Sequence, residues 1–153
     1  MATKVVDVVN FNADASCLEC DTWFAALNGG INSTFYSWLD LYVKYSKKVV
    51  LGIPGATLAD IATINPESID LIRENPAIFE LILRPFAHDN ALLRTRFGFE
   101  KNLEYGIKTL DKLFGVVPKY FLPPEFMLNS EQVLVLENNG IEGTFVNPAR
   151  FSV

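Results

Sequence analysis

The chain has 153 residues, 50% of them hydrophobic and 20% charged, with a net charge of −5; that is the size and make-up of one domain, 1–153, with a single core. No window approaches 18 consecutive apolar residues, which excludes a transmembrane helix, and the acidic balance speaks against a nucleic-acid partner, whose phosphates need clustered Lys and Arg. The stretch before Asp7 lacks a signal-peptide pattern, so a cytoplasmic protein with no membrane association is expected. Two Cys and one His exclude a disulfide-built scaffold and cannot alone make a four-ligand zinc site.

In chain order, a β-branched run over 5–11 reads as the first strand. Residues 33–45 carry Phe35, Trp38, Leu39 and Tyr42 at helical spacing, and Lys44, Lys47 and Lys48 fall at that helix's C-terminal end, where they suit its dipole. A second strand over 49–53 is closed by Pro54 and Gly55, followed by a run of small residues. Residues 66–74 read as a helix with Asn65 as cap and Pro66 in its first turn. A third strand covers 79–86, and the longest helix, 99–114, is stopped by Gly115. A fourth strand starts at 120–122, a helix over 130–138 is capped by Asn129 or Ser130, and a fifth strand covers 144–146. Five strands separated by helices predict an α/β fold with a parallel, barrel-like sheet and right-handed crossovers.

In such sheets ligands bind beyond the carboxyl ends of the strands. Strand one leads to Asn10, Asn12, Asp14, Ser16, Cys17 and Cys20. Strand three leads to Arg84, Pro85, Phe86, Ala87, His88, Asp89 and Asn90; strand four to Pro123, Pro124 and Glu125; strand five to Asn147, Pro148, Ala149 and Arg150. Glu125 follows two prolines that fix its backbone, and its neighbours Leu122 and Phe126 predict an apolar setting that raises a carboxyl pKa. A carboxylate so held suits a nucleophile or general acid; a carboxylate complementing the following helix dipole is the equal alternative. His88 suits an acid, base, metal ligand or hydroxyl donor, against a role in ordering its own loop. Asp14 suits orienting that histidine or binding a metal, against an Asx-type turn.

Cys17-Leu18-Glu19-Cys20 has the shape of a redox dithiol and resembles a thioredoxin active-site segment. The strand before it opens the chain, and the acidic Asp21 comes directly after it, so two reduced cysteines are the expected state. Trp23, Phe24, Phe35, Tyr36 and Trp38 are chiefly core candidates, with one or two free to stack on a sugar ring. A flavodoxin-like nucleotide domain is disfavoured, because strand one leads into no Gly-rich phosphate loop.

Four segments, RPFAHDNALL, FEKNLEYGIKTLDKLFG, VVPKYFLPPEF and ENNGIEGTFVNP, together resemble the catalytic region of glycoside hydrolase family 57. They are more loosely similar to polysaccharide deacetylases, which share its incomplete seven-stranded (β/α) barrel. The resemblance rests on His88, Leu92 and Leu93, Phe114-Gly115, Pro124-Glu125 and Gly140-Ile141, in that order, over about residues 80–150. It implies five βα units of that barrel, a carbohydrate substrate and no cofactor. Glu125 would be the nucleophile of a retaining hydrolase or glucanotransferase, with His88 and Asp14 beside it. Asn12, Asp89, Asn147 and Arg150 would line the sugar site.

The family's acid/base Asp lies on a later strand. The expectation is therefore a C-terminally incomplete portion of a longer barrel, a homo-oligomer, or a partner chain that completes the site. The deacetylase alternative implies a divalent metal such as zinc on Asp14 and His88. A non-catalytic sugar-binding or assembly subunit is the third reading.

Overall fold

A computed structural model describes residues 7–10 and 25–145. The expectations placed on Asn12, Asp14, Cys17, Cys20, Trp23, Phe24, Asn147 and Arg150 lie outside the described residues. Helices alternate with parallel strands, an α/β arrangement, and the chain divides into two compact units. One is built from Met1–Gly52 and Thr57–Leu81, the other from Ile53–Ala56 and Ile82–Val153.

In the first unit, β1 (Val8–Asn10) runs parallel to β2 (Val49–Gly52), with Val9 opposite Leu51. β3 (Phe79–Ile82) completes a three-stranded sheet in the order β1-β2-β3. Val49, Leu51 and Gly52 are all buried, the near-continuous burial expected of a strand covered on both faces. Helix α1 (Thr34–Lys44) starts where Ser33 Oγ accepts the Tyr36 N–H at 3.0 Å, and it buries Phe35 and Leu39.

Helix α2 (Gly55–Ile64) is an addition to the sequence reading, which assigned no element to this run of small residues. Its first N–H groups are satisfied by backbone, Gly55 N–H by Pro85 O and Ala56 N–H by Phe86 O, so no capping side chain announces it. Helix α3 (Pro66–Glu74) begins as expected. Asn65 is wholly buried there: its Nδ2 donates to Leu27 O, Gly30 O and Ser33 Oγ, while Oδ1 accepts from Ser68 N–H and Oγ–H.

In the second unit, α4 (Arg96–Phe114) starts three residues before the sequence expectation, because the Thr95 hydroxyl accepts the Gly98 N–H and caps it. Gly115 ends it in the left-handed conformation, φ 67°, where glycine carries no Cβ penalty. β4 (Tyr120–Phe121) pairs in parallel with β5 (Gly143–Thr144). Helix α5 (Ser130–Asn138) carries a reciprocal cap, Asn129 Oδ1 accepting from Gln132 N–H and Gln132 Oε1 from Asn129 N–H. Gln132 is buried and its Nε2 also donates to Ala91 O at 2.6 Å, tying the start of α5 to the 3-10 turn Ala91–Leu93. Among the described residues, no helix is long and apolar enough to cross a membrane.

The third strand ends sooner than the sequence suggests. Past Ile82, Leu83 alone bridges to β4: its N–H donates to Tyr120 O and its O accepts from Leu122 N–H, both at 2.9 Å. Pro85 then offers no N–H, and the Phe86 N–H donates instead to Asn102 O on α4.

Candidate functional site

The Leu83 bridge brings two strand ends together, so that Arg84 emerges beside the Leu122-Pro123-Pro124-Glu125 segment. Helix α4 then shapes the loop that Arg84 opens. Its buried stripe is Phe99, Asn102, Leu103, Gly106 and Leu110, the spacing of one helical face. Asn102 grips the 84–90 segment through both its backbone and its side-chain amide. Its backbone O accepts from Phe86 N–H, its Oδ1 from Ala87 N–H at 2.7 Å, and its Nδ2 donates to Ala87 O and Asp89 Oδ1, each at 3.1 Å. One turn on, Gly106 makes room for the same segment: a Cβ there would stand 2.4 Å from Arg84 O.

Arg84 is 1% exposed, a charged side chain in the interior. A guanidinium Nη2–H donates to His88 Nδ1, while the buried Nε–H has no hydrogen-bond partner among the described residues. Burial pulls the Arg84 pKa down to about 10, and the negative charge of Glu125 acts in the opposite direction. Glu125 is thus a carboxylate whose charge reaches this buried cation. Arginine has donors only, so in this contact Nδ1 of His88 is on the accepting side.

Glu125 sits in the 3-10 turn Pro124–Phe126, at φ 53° and ψ 13°, and Phe126 comes next at φ 56°. Two consecutive non-glycine residues in the left-handed region cost about 1–3 kcal/mol each and are characteristic of functional sites. The turn is closed by Phe126 N–H to Pro123 O and Met127 N–H to Pro124 O, both at 3.2 Å. The structure departs from the apolar enclosure expected of Glu125: the residue is exposed, and only Leu122 of its two apolar neighbours is buried. Nor does it sit at the start of α5, whose first turn Asn129 caps.

Among the sugar-lining candidates, Asp89 is committed within the loop. Its Oδ2 pairs with Arg94, and its Oδ1 accepts from Asn102. Phe35 is core, whereas Trp38 lines an open hollow of about 280 Å³ on α1 with Leu41, Tyr42, Tyr45 and Lys47. Of the expected metal pair, His88 has its Nδ1 directed at the Arg84 guanidinium, and Asp14 lies outside the described residues. Among the described residues, no three His, Cys, Asp or Glu side chains group for a metal.

Sequence reasoning named Arg84 at a strand end but gave it no role, and it missed Asn102 and Gly106. The usable signals were Asn and Gly, poor helix formers, recurring four residues apart within an otherwise strong helix.

Several solved structures share this fold. The 4-alpha-glucanotransferase from Thermococcus litoralis superposes with a TM-score of 0.74 at 20% identity, over 91% of this chain and 21% of that one. The Bc1960 peptidoglycan N-acetylglucosamine deacetylase gives 0.66 at 13% identity, over 91% and 55%. BA3943, a CE4 family pseudoenzyme from Bacillus anthracis, gives 0.64 at 12%, over 93% and 43%. At these identities the likeness is one of fold, and the chain spans less than two thirds of the length of each. No curated protein matches the chain. The family description "Glycosyl hydrolase family 57" does match, over residues 19–153. With that match covering most of the sequence, the chain belongs to glycosyl hydrolase family 57.

Proposed function

We propose that the domain acts on a glycosidic bond of a carbohydrate, with Glu125 as its nucleophile. The observation that supports this reading is a backbone-strained, exposed carboxylate whose charge acts on the buried Arg84 cation. A nucleophilic carboxylate works in its ionised form, and Arg84 supplies a fixed positive charge opposite that form. In the first step, a Glu125 oxygen bonds to the anomeric carbon as the glycosidic C–O bond breaks, and the leaving oxygen takes a proton from a general acid. In the second step, water or a sugar hydroxyl attacks the same carbon, loses its proton to the conjugate base, and frees Glu125, so that configuration is retained overall. Hydrolysis and sugar transfer differ only in that second acceptor.

The test uses malto-oligosaccharides and a panel of aryl α- and β-glycosides. Glu125→Ala loses turnover on the order of 10⁴-fold. Added azide restores bond cleavage and yields a glycosyl azide of inverted configuration, because it attacks from the face the carboxylate vacated. Full turnover by Glu125→Gln on a substrate the unaltered protein cleaves overturns the assignment. Glycan binding by calorimetry with no turnover on any substrate replaces it with a sugar-binding role. The deacetylase alternative is weaker on this geometry, since His88 presents Nδ1 to Arg84.

A further inference from the structure

We propose that Gln132 is a positioning residue of this site: its buried amide ties the segment that bears Glu125 to the loop that bears His88 and Asp89, so that the two are held as one body. This rests on the reading of Glu125 as nucleophile. Segments 83–91 and 122–132 are joined at both ends. At one end, the Leu122 N–H donates to Leu83 O at 2.9 Å. At the other, Gln132 Nε2 donates to Ala91 O at 2.6 Å, and both residues are 2% exposed, so water does not compete for the bond. The Glu125 turn lies between those two ties, and between them Asn102 holds the other segment through Phe86 and Ala87.

The turn needs such support. Glu125 and Phe126 both stand in the left-handed region, a conformation that persists only where the surroundings over-determine it. The hydrogen bonds that close the turn itself are 3.2 Å long, at the far end of the range for N–H···O. Its flanks add the ties to Leu83 and Ala91.

The residue type argues the same way. Gln132 Oε1 accepts the Asn129 N–H, one half of the reciprocal cap on α5. For that half alone a glutamate serves equally, and near a helix N-terminus its negative charge is favoured. A glutamine supplies what a carboxylate lacks, the donor that reaches Ala91 O. The cap accounts for one end of the amide and the tie for the other.

One substitution separates the two roles. Gln132→Glu keeps an acceptor for the Asn129 N–H but sets an ionised carboxylate against Ala91 O; as pH falls, that carboxyl takes a proton and can donate there. Gln132→Met does neither. Turnover is measured for both variants and the unaltered protein from about pH 5 to about pH 8, the span over which a buried carboxyl takes up its proton, well below their melting temperatures. At the upper end, kcat of Gln132→Glu is expected to fall on the order of 10²-fold with KM little changed. The ratio of its kcat to that of the unaltered protein then climbs as pH falls, while Gln132→Met stays low throughout. A ratio that does not move with pH overturns the proposal, as does full kcat in Gln132→Met. Where a variant does not fold, or the unaltered protein turns over no substrate, native-state hydrogen exchange of the unaltered protein decides. The Phe126 and Ala87 N–H groups are expected to open together as one cooperative unit; separate openings overturn the tie. Absence of turnover removes the glycosidic-bond reading and leaves the exchange result untouched, so the two failures are distinguishable.

Discussion

Arg84 sets stability against function at the level of one side chain. Burying a charge without a full set of partners costs free energy, and Arg84 is buried with its Nε–H unpartnered among the described residues. Arg84→Met is therefore expected to keep or raise the melting temperature while lowering kcat, measured by calorimetry and by initial rates on the same preparation. Glu125→Gln works the other way, removing a charge that favours the buried cation, and is expected to lower the melting temperature by a small, salt-dependent amount, because Glu125 is exposed.

The pH dependence has a definite sign. Burial depresses the folded-state pKa of Arg84 to about 10, so the unfolded chain holds that proton more tightly. The cost is complete at every pH below about 10 and is relieved only as pH rises beyond it. The melting-temperature difference between Arg84→Met and the unaltered protein is thus expected to be constant from about pH 8 to about pH 9, above the range in which a histidine ordinarily titrates; a difference that changes across that window contradicts a cation charged throughout it. Of these residues, Glu125 and His88 were visible in the sequence as ionisable groups at strand ends. Arg84 stood in the same motif, but nothing in a linear string says that its side chain turns inward.

Helix α4 carries the element-scale expectations. Gly→Ala in an exposed helix interior gains about 1 kcal/mol, but Gly106→Ala forces a methyl against Arg84 O. Overpacking of this kind costs about 1–3 kcal/mol, so the variant is expected to melt lower and to lose activity with it. Asn102→Ala leaves the Ala87 N–H and O without the amide that pairs with both, at about 1–3 kcal/mol for buried groups left unsatisfied.

The opposite face of the helix is solvent-exposed and charged. Glu104 accepts from Lys101 and Lys108, both at 2.6 Å, and these contacts hold its carboxyl down at about 2. A depressed carboxylate contributes stability that is present above the ordinary carboxylate value and is lost as pH falls toward about 2. Acid melts of Glu104→Gln and the unaltered protein should therefore converge toward that pH, and their difference at neutral pH should shrink in high salt. The boundaries of α1, α3 and α5 were legible because capping residues and periodic apolar positions agree. α2 was not, because its N-terminus is satisfied by the backbone of Pro85 and Phe86, residues remote in sequence.

At the scale of the whole chain, the alternation of strands and helices was enough to indicate a parallel α/β fold. The family match over residues 19–153 agrees with the resemblance carried by the His88, Pro124-Glu125 and Gly140-Ile141 segments. What pattern could not supply is tertiary: the single Leu83 bridge that sets two strand ends side by side, and the direction of each side chain beyond it. The buried stripe of α4 adds a constraint of phase. Asn102 grips the loop and Gly106 yields to it, and successive residues of a helix are turned by about 100°. One residue inserted between Thr95 and Asn102 would leave a helix of nearly unchanged length and composition, yet rotate the gripping amide out of register with the loop it holds. The spacing of the cap from Asn102 is thus part of the site's specification, and in this helix a change of length does what no single substitution on its outer face can.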